Sequence, residues 1–268
     1  MRIASCCTAT FISVALLAGC ATTLSRDRIA AIVASPDRSS ADRALDARRK
    51  PAELLAFIGV QPGMTALDVS AGRGYTTELI ARAVGPTGKV YAQTAPRDAG
   101  RAPPAQPEGV AAPAPPSSIA TPPPPALAER ARNPLTSNIV PVVRRFDDPV
   151  PPEVADGGLD LVTLLFNYHD LGHLGIDRAR MNHAIFRALR RGGLFVIADH
   201  SGRSGTGISE AGTLHRVEEA FVVTEVQAAG FRLAASGNFM RNPADPRDRN
   251  TPEPPMPKDE FVLKFVKP

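Results

Sequence analysis

Between Thr65 and Gln93 the chain runs strand, glycine turn, helix, strand in under 30 residues, and that order leaves few folds open. Thr65-Ala66-Leu67-Asp68-Val69 is a short apolar strand, and Ser70-Ala71-Gly72-Arg73-Gly74 is a tight turn. Tyr75 to Val84 has helical spacing, with Leu79, Ile80, Ala83 and Val84 on one side. Gly85-Pro86-Thr87-Gly88 stops it, and Lys89 to Gln93 is a second strand. A βαβ unit of this kind builds a parallel sheet through right-handed crossovers.

The alternation continues. Pro51 opens a short amphipathic helix that ends at Ile58. Asn138 to Arg144 is a third strand, and Pro141 suggests that it lies at an edge. Leu159 to Phe166 is apolar but for Asp160 and Thr163, as a central parallel strand is. The pattern then gives a helix over Ile176 to Leu189, a buried strand over Leu194 to Asp199, and one long helix from Ile208 to Ala229. Phe231 to Ser236 and Glu260 to Val266 are the last strands. The expectation is a Rossmann-like, doubly wound α/β fold with a mostly parallel seven-stranded sheet and helices on both faces.

Residues 96–125 interrupt this order with eleven prolines. Proline lacks an amide donor and fixes φ, so the stretch reads as an extended inserted loop inside one domain spanning 37–268. The net charge of the 268-residue chain is only +4, with basic and acidic residues interleaved. That excludes the concentrated basic face of a nucleic-acid binder.

The N-terminus reads as an address. Met1-Arg2 is followed by an apolar run from Thr8 to Ala18, too short for a mature membrane span. Leu17-Ala18-Gly19-Cys20 resembles a bacterial lipobox. The resemblance implies a signal peptide over 1–19, a lipid on Cys20, a tether over 20–36, and a domain anchored in the cell envelope, facing the periplasm. The membrane partner is then reached by the lipid alone. All three cysteines lie at or before position 20, which leaves the domain without disulfide, thiolate or Cys nucleophile.

The stretch Leu67 to Gly74 lacks the Gly-x-Gly-x-x-Gly spacing of a dinucleotide site. It resembles motif I of class I S-adenosylmethionine (SAM)-dependent methyltransferases, with Ser70 in place of the first glycine. Gly85 to Ala92, Asp160 to Leu171 and Leu189 to Phe195 extend the likeness, and Asn167 to Leu171, Asp199 to Ser201, Leu214 to Arg216 and Arg241 to Pro246 resemble a subgroup of exported bacterial methyltransferases. The resemblance implies SAM as cofactor, held by Asp68, Ser70, Gly72, Gly74, Tyr75, Gln93, Phe166 and Asn167. Gln93 stands where the family carries an acid for the ribose hydroxyls.

Ligands of open α/β sheets bind beyond the carboxyl ends of the strands. His169, Asp170 and His200 follow two such strands and are the candidate catalytic residues, His169 as general base and Asp170 orienting it. Loop-shaping hydrogen bonds are the alternative role for His169 and Asp170. His169, Asp170, His173, Asp199, His200 and His215 are the candidate metal cluster, but the His169–His173 spacing aligns ligands only on a helix, and with Gly172 between them the segment reads as loop, so no metal site is assigned. The functional expectation is methyl transfer to an unidentified small-molecule acceptor. Because SAM is a cytoplasmic compound and the chain reads as exported, a non-catalytic ligand-binding or structural envelope lipoprotein is the alternative.

Overall fold

The computed structural model describes residues 23–96, 125–252 and 255–268. The signal segment, Cys20 and nearly all of the proline-rich insert lie outside them. The strands are β1 (Thr65–Val69), β2 (Lys89–Thr94), β3 (Ile139–Val143), β4 (Leu159–Leu165), β5 (Leu189–His200), β6 (Arg232–Gly237) and β7 (Glu260–Val266). They form one seven-stranded sheet in the order β3-β2-β1-β4-β5-β7-β6. β1 to β5 pair in parallel, and β7 runs antiparallel to both β5 and β6. β3 is an edge strand, as Pro141 implies.

The helices are α1 (Arg26–Val33), α2 (Ser40–Arg49), α3 (Pro51–Ile58), α4 (Tyr75–Val84), α5 (Pro125–Arg132), α6 (Tyr168–His173), α7 (Arg178–Ala188), α8 (Ala211–Leu214) and α9 (Glu219–Ala228). Side chains alternate across a strand, so the sheet feeds two cores. Ala66, Leu161, Val196 and Ala198 face one core with Ile29 and Ile32 of α1, Leu54 and Ile58 of α3, Ile80 of α4 and Leu127 of α5. Leu67, Val162, Leu164 and Ile197 face the other with Tyr168 of α6, Ile185 of α7 and Val226 of α9. The expected α/β fold, with helices on both faces, is the fold observed.

Three local expectations change. Residues 21–36, read as a short tether or loose helix, contain α1, and its isoleucines are part of the core. The long helix expected over Ile208 to Ala229 is broken into α8 and α9. His215 takes a left-handed backbone at φ 51°, and Val217 forms a bridge with Ser201 instead of a helical turn. The segment after β4, read as loop, is the helix α6. The Asp199 carboxylate accepts from the His169 amide in its first turn, supplying a partner that the local sequence lacks.

Candidate functional site

The strand order reverses between β1 and β4, and the loops that follow those two strands face one another there. The turn after β1 carries left-handed residues at Ser70 (φ 59°), Gly72 (φ 55°) and Gly74 (φ 86°). For serine that conformation is strained. Three hydrogen bonds hold it: the Ser70 amide donates to Gln93 Oε1 at 2.8 Å, the Ser70 hydroxyl donates to Asn167 Oδ1 at 3.0 Å, and the Ala71 amide donates to the Gln93 carbonyl at 2.8 Å.

Beneath the turn, Asp68 accepts from the hydroxyls of Thr77 at 2.6 Å and Thr163 at 2.7 Å. Burial raises its pKa to about 6 against those bonds. Asp68 thus ties β1 to β4 and to the first turn of α4. Gln93 is fully buried, and its Nε2 donates to the Arg144 carbonyl at 2.6 Å, so both ends of its amide are engaged within the chain. Tyr75 donates to Asp46 of α2 at 2.7 Å, and Asp46 in turn pairs with Arg38 at 2.8 Å.

The glycines of the turn have different neighbours. A Cβ on Gly74 would come within 2.7 Å of Leu127 Cδ2 and 2.9 Å of Arg130 Cδ, so α5 packs directly on this residue. Arg130 also donates to the Arg73 carbonyl at 2.8 Å and pairs with Asp42 and Glu78. A Cβ on Gly72 would meet only the Ser70 carbonyl, at 3.9 Å. Among the described residues the amides of Gly72 and Arg73 have no hydrogen-bond partner.

In the loop after β4, Phe166 also has a left-handed backbone, at φ 62°. Its amide donates to the Ala198 carbonyl at 2.6 Å, and its ring lies 3.9 Å from the Arg49 guanidinium and 5.7 Å from His200. Arg49, at the end of α2, has a buried Nε without a hydrogen-bond partner among the described residues. Burial, with Arg48 beside it, holds its pKa down to about 10.

The imidazoles lie on this edge too. His169 is 4% exposed, and its Nδ1 sits 2.6 Å from Asp199 Oδ1. Asp199 is fully buried and also accepts from the amides of His169 and His200, each at 2.8 Å. Burial pushes the Asp199 carboxyl up, but His169 and these bonds outweigh it and leave the pKa below the usual value. Burial likewise pushes His169 down, and Asp199 overrides it to leave the ring more basic than a free histidine. His200 is held well below its usual pKa, chiefly by burial. Its Nδ1 is 3.1 Å from Glu260 Oε1, and burial raises Glu260 to about 7.

Asp170 Oδ1 lies 3.3 Å from His169 Nε2 and 3.6 Å from His215 Nδ1, while Asn167 donates to Asp170 Oδ2 at 2.7 Å. All three expected catalytic residues therefore gather at one edge with Phe166 and Asn167. Arg49 and Glu260 are not singled out by sequence reasoning. The usable signal for Glu260 is a carboxylate opening a mostly apolar strand; α2 gives no such signal, because Arg49 sits in a run of charged residues whose sequence does not mark one from another.

No family model matches the chain, and no curated protein matches it. Solved structures do. A SAM-dependent methyltransferase from Aquifex aeolicus superposes with a TM-score of 0.55 at 16% identity, covering 91% of this chain and all of that one. An arsenic(III) SAM methyltransferase from Chlamydomonas reinhardtii gives 0.52 at 18%, covering 90% of this chain and 73% of that one. The [4+2]-cyclase SpnF gives 0.53 at 15%, covering 85% and 81%. The chain shares the fold of class I SAM-dependent methyltransferases.

Proposed function

We propose that this chain is a SAM-dependent methyltransferase acting on a small-molecule acceptor. The observation that carries the reading is the pairing of a left-handed glycine turn after β1 with a carboxylate-backed imidazole after β4, at the point where the strand order reverses. The residues fit the cofactor in two respects. The amides of Gly72 and Arg73, without a partner among the described residues, suit polar groups of its amino-acid part, and Arg49, with its guanidinium over Phe166, suits its carboxylate. SAM, when bound, supplies a methyl group activated by an adjacent sulfonium.

The chain's own part is to bind, orient and remove a proton. Asp199 holds His169 with Nδ1 protonated, which leaves the Nε2 lone pair on the side of Asp170 and His215. From there Nε2 takes the proton of an acceptor hydroxyl or amine, and the buried Asp199 charge stabilises the imidazolium that results. Asp68 and Gln93 act behind the turn, bracing it through Thr77, Thr163 and Ser70. Export and a lipid anchor at Cys20, facing the periplasm, belong to the same proposal.

Calorimetry of the purified chain with SAM and with S-adenosylhomocysteine is the test. Binding that disappears in Gly72→Arg supports the proposal, and no heat at millimolar ligand sinks it. A specific observation also favours the non-catalytic alternative. Gly74 is covered by α5 and the Gln93 amide is satisfied internally, so part of the turn serves packing. One structure of this fold is a cyclase, which shows that the scaffold hosts other chemistry. Binding without methyl loss to any small nucleophile would support that reading.

A further inference from the structure

We propose that His169, Asp170 and His215 form a binding site for a first-row divalent cation, with donors His169 Nε2, an Asp170 carboxylate oxygen and His215 Nδ1. One ligand atom from each of the three residues lies within 4.8 Å of the other two. Ligands about 2.1 Å from a shared ion are at most about 4.2 Å apart. Asp170 Oδ1 already meets that limit with both rings, at 3.3 and 3.6 Å. Small side-chain rotations bring the third pair within it.

The same distances are poor as hydrogen bonds, because 3.6 Å is beyond bonding range and 3.3 Å is at its weak end. The ring nitrogens therefore converge on the carboxylate without satisfying it. What is satisfied is the layer behind. Asp199 Oδ1 holds His169 Nδ1 at 2.6 Å, which leaves Nε2 as the ligating atom, and Asn167 Nδ2 holds the other Asp170 oxygen at 2.7 Å. Such outer partners fix ligand tautomer and orientation at metal centres.

The backbone contributes as well. α6 places His169, Asp170 and His173 within two turns, and the break between α8 and α9 swings His215 over them. Four of the five histidines join in this way through ring contacts, with His169 to His200 at 5.6 Å, His169 to His215 at 5.5 Å and His173 to His215 at 6.2 Å. The His169 side chain is 5% exposed, against 25% for Asp170 and 31% for His215, so one side of the cluster opens toward solvent. Two imidazoles, one carboxylate and an open side suit zinc or iron(II) and disfavour calcium or magnesium, which prefer all-oxygen sites.

This inference deepens the methyltransferase reading, on which it rests only for the ion's role. A cation there would lower the pKa of a coordinated acceptor hydroxyl, with His169 serving as ligand in place of base. Binding itself needs no cofactor. The untagged, chelator-stripped chain is titrated with Co²⁺ and followed by its visible absorption, then with Zn²⁺ in competition. One equivalent is expected, with affinity at least 10-fold weaker in Asp170→Asn and in His215→Ala, and unchanged in His183→Ala on α7. Absence of stoichiometric Co²⁺ binding, or binding that both variants retain, overturns the site. SAM calorimetry on the stripped chain separates the two claims: metal binding without SAM binding upholds the site and overturns the cofactor, and the reverse overturns the site alone.

Discussion

The Asp199 carboxylate holds His169 at two points, the backbone amide at 2.8 Å and ring Nδ1 at 2.6 Å. One buried charge therefore sets both the start of α6 and the tautomer of its principal imidazole. Asp199→Asn keeps the size and loses the charge. Methyl transfer is expected to fall by about 10²- to 10⁴-fold, the usual worth of a positioned acid–base group. SAM affinity should stay within about two-fold, since Asp199 lies behind the ring. A parallel collapse of SAM binding would show that Asp199 acts through the fold instead.

Arg49 is expected to separate ligand binding from stability. Its Nε is buried without a partner among the described residues, a state that costs the folded chain about 1–3 kcal/mol. Arg49→Met removes that donor while keeping a stem to cover Phe166. Denaturant unfolding should show equal or greater stability, and the SAM dissociation constant should rise about 10-fold, roughly 1.4 kcal/mol. Unchanged affinity would remove Arg49 from the cofactor site.

Glu260 makes stability depend on pH. Its folded pKa is raised from 4.5 to about 7, mainly by burial. A raised folded value means that the folded state holds the proton more tightly. Its contribution is therefore full below the unfolded pKa and is lost as pH rises through about 7. At about 1.4 kcal/mol per unit the loss is about 3 kcal/mol. Thermal melts should show the natural chain falling relative to Glu260→Gln between about pH 5 and pH 7.5. Parallel curves would place the titration elsewhere.

At Ser70 strain and hydrogen bonding oppose each other. Ser70→Ala keeps the φ of 59° and loses the bond to Asn167, so a loss of about 1 kcal/mol in urea unfolding is expected. Ser70→Gly loses the same bond but relieves the backbone, and should stay within about 0.5 kcal/mol of the natural chain. Equal losses in both would mean that the backbone is not strained there.

For the address, labelling with a radioactive fatty acid in a bacterial host should mark the chain, and Cys20→Ser should abolish the label. Retained label would place the lipid on another residue.

The parts legible in the sequence are those whose signal is local. From Thr65 to Thr94 a short apolar run gives way to helical spacing and then to a second apolar run, with glycine at each break, and the structure follows it nearly residue for residue. The break at His215 was not legible. Ile208, Ala211, Leu214 and Val217 keep a helical spacing, yet Val217 pairs with Ser201, and that long-range bridge outweighs the local pattern. α6 was hidden for the opposite reason. Gly172 and the polar residues around it have weak helical preference, and the turn is held by Asp199, 30 positions away from His169. The candidate site was half legible: histidines after strand ends can be read, but Arg49 and Glu260 reach it from distant elements.

Gly74 lies tight against α5, the helix that resumes the chain after the proline-rich insert. A lineage that abandoned every ligand would still be held to glycine there by Leu127 and Arg130. Gly72, with open space around its Cα, answers only to its backbone angle, which asparagine also tolerates. Among natural variants, glycine at position 74 is thus held twice over, by a left-handed angle of 86° and by the neighbour packed on it, whereas a strict glycine at 72 is the mark of a turn still in use.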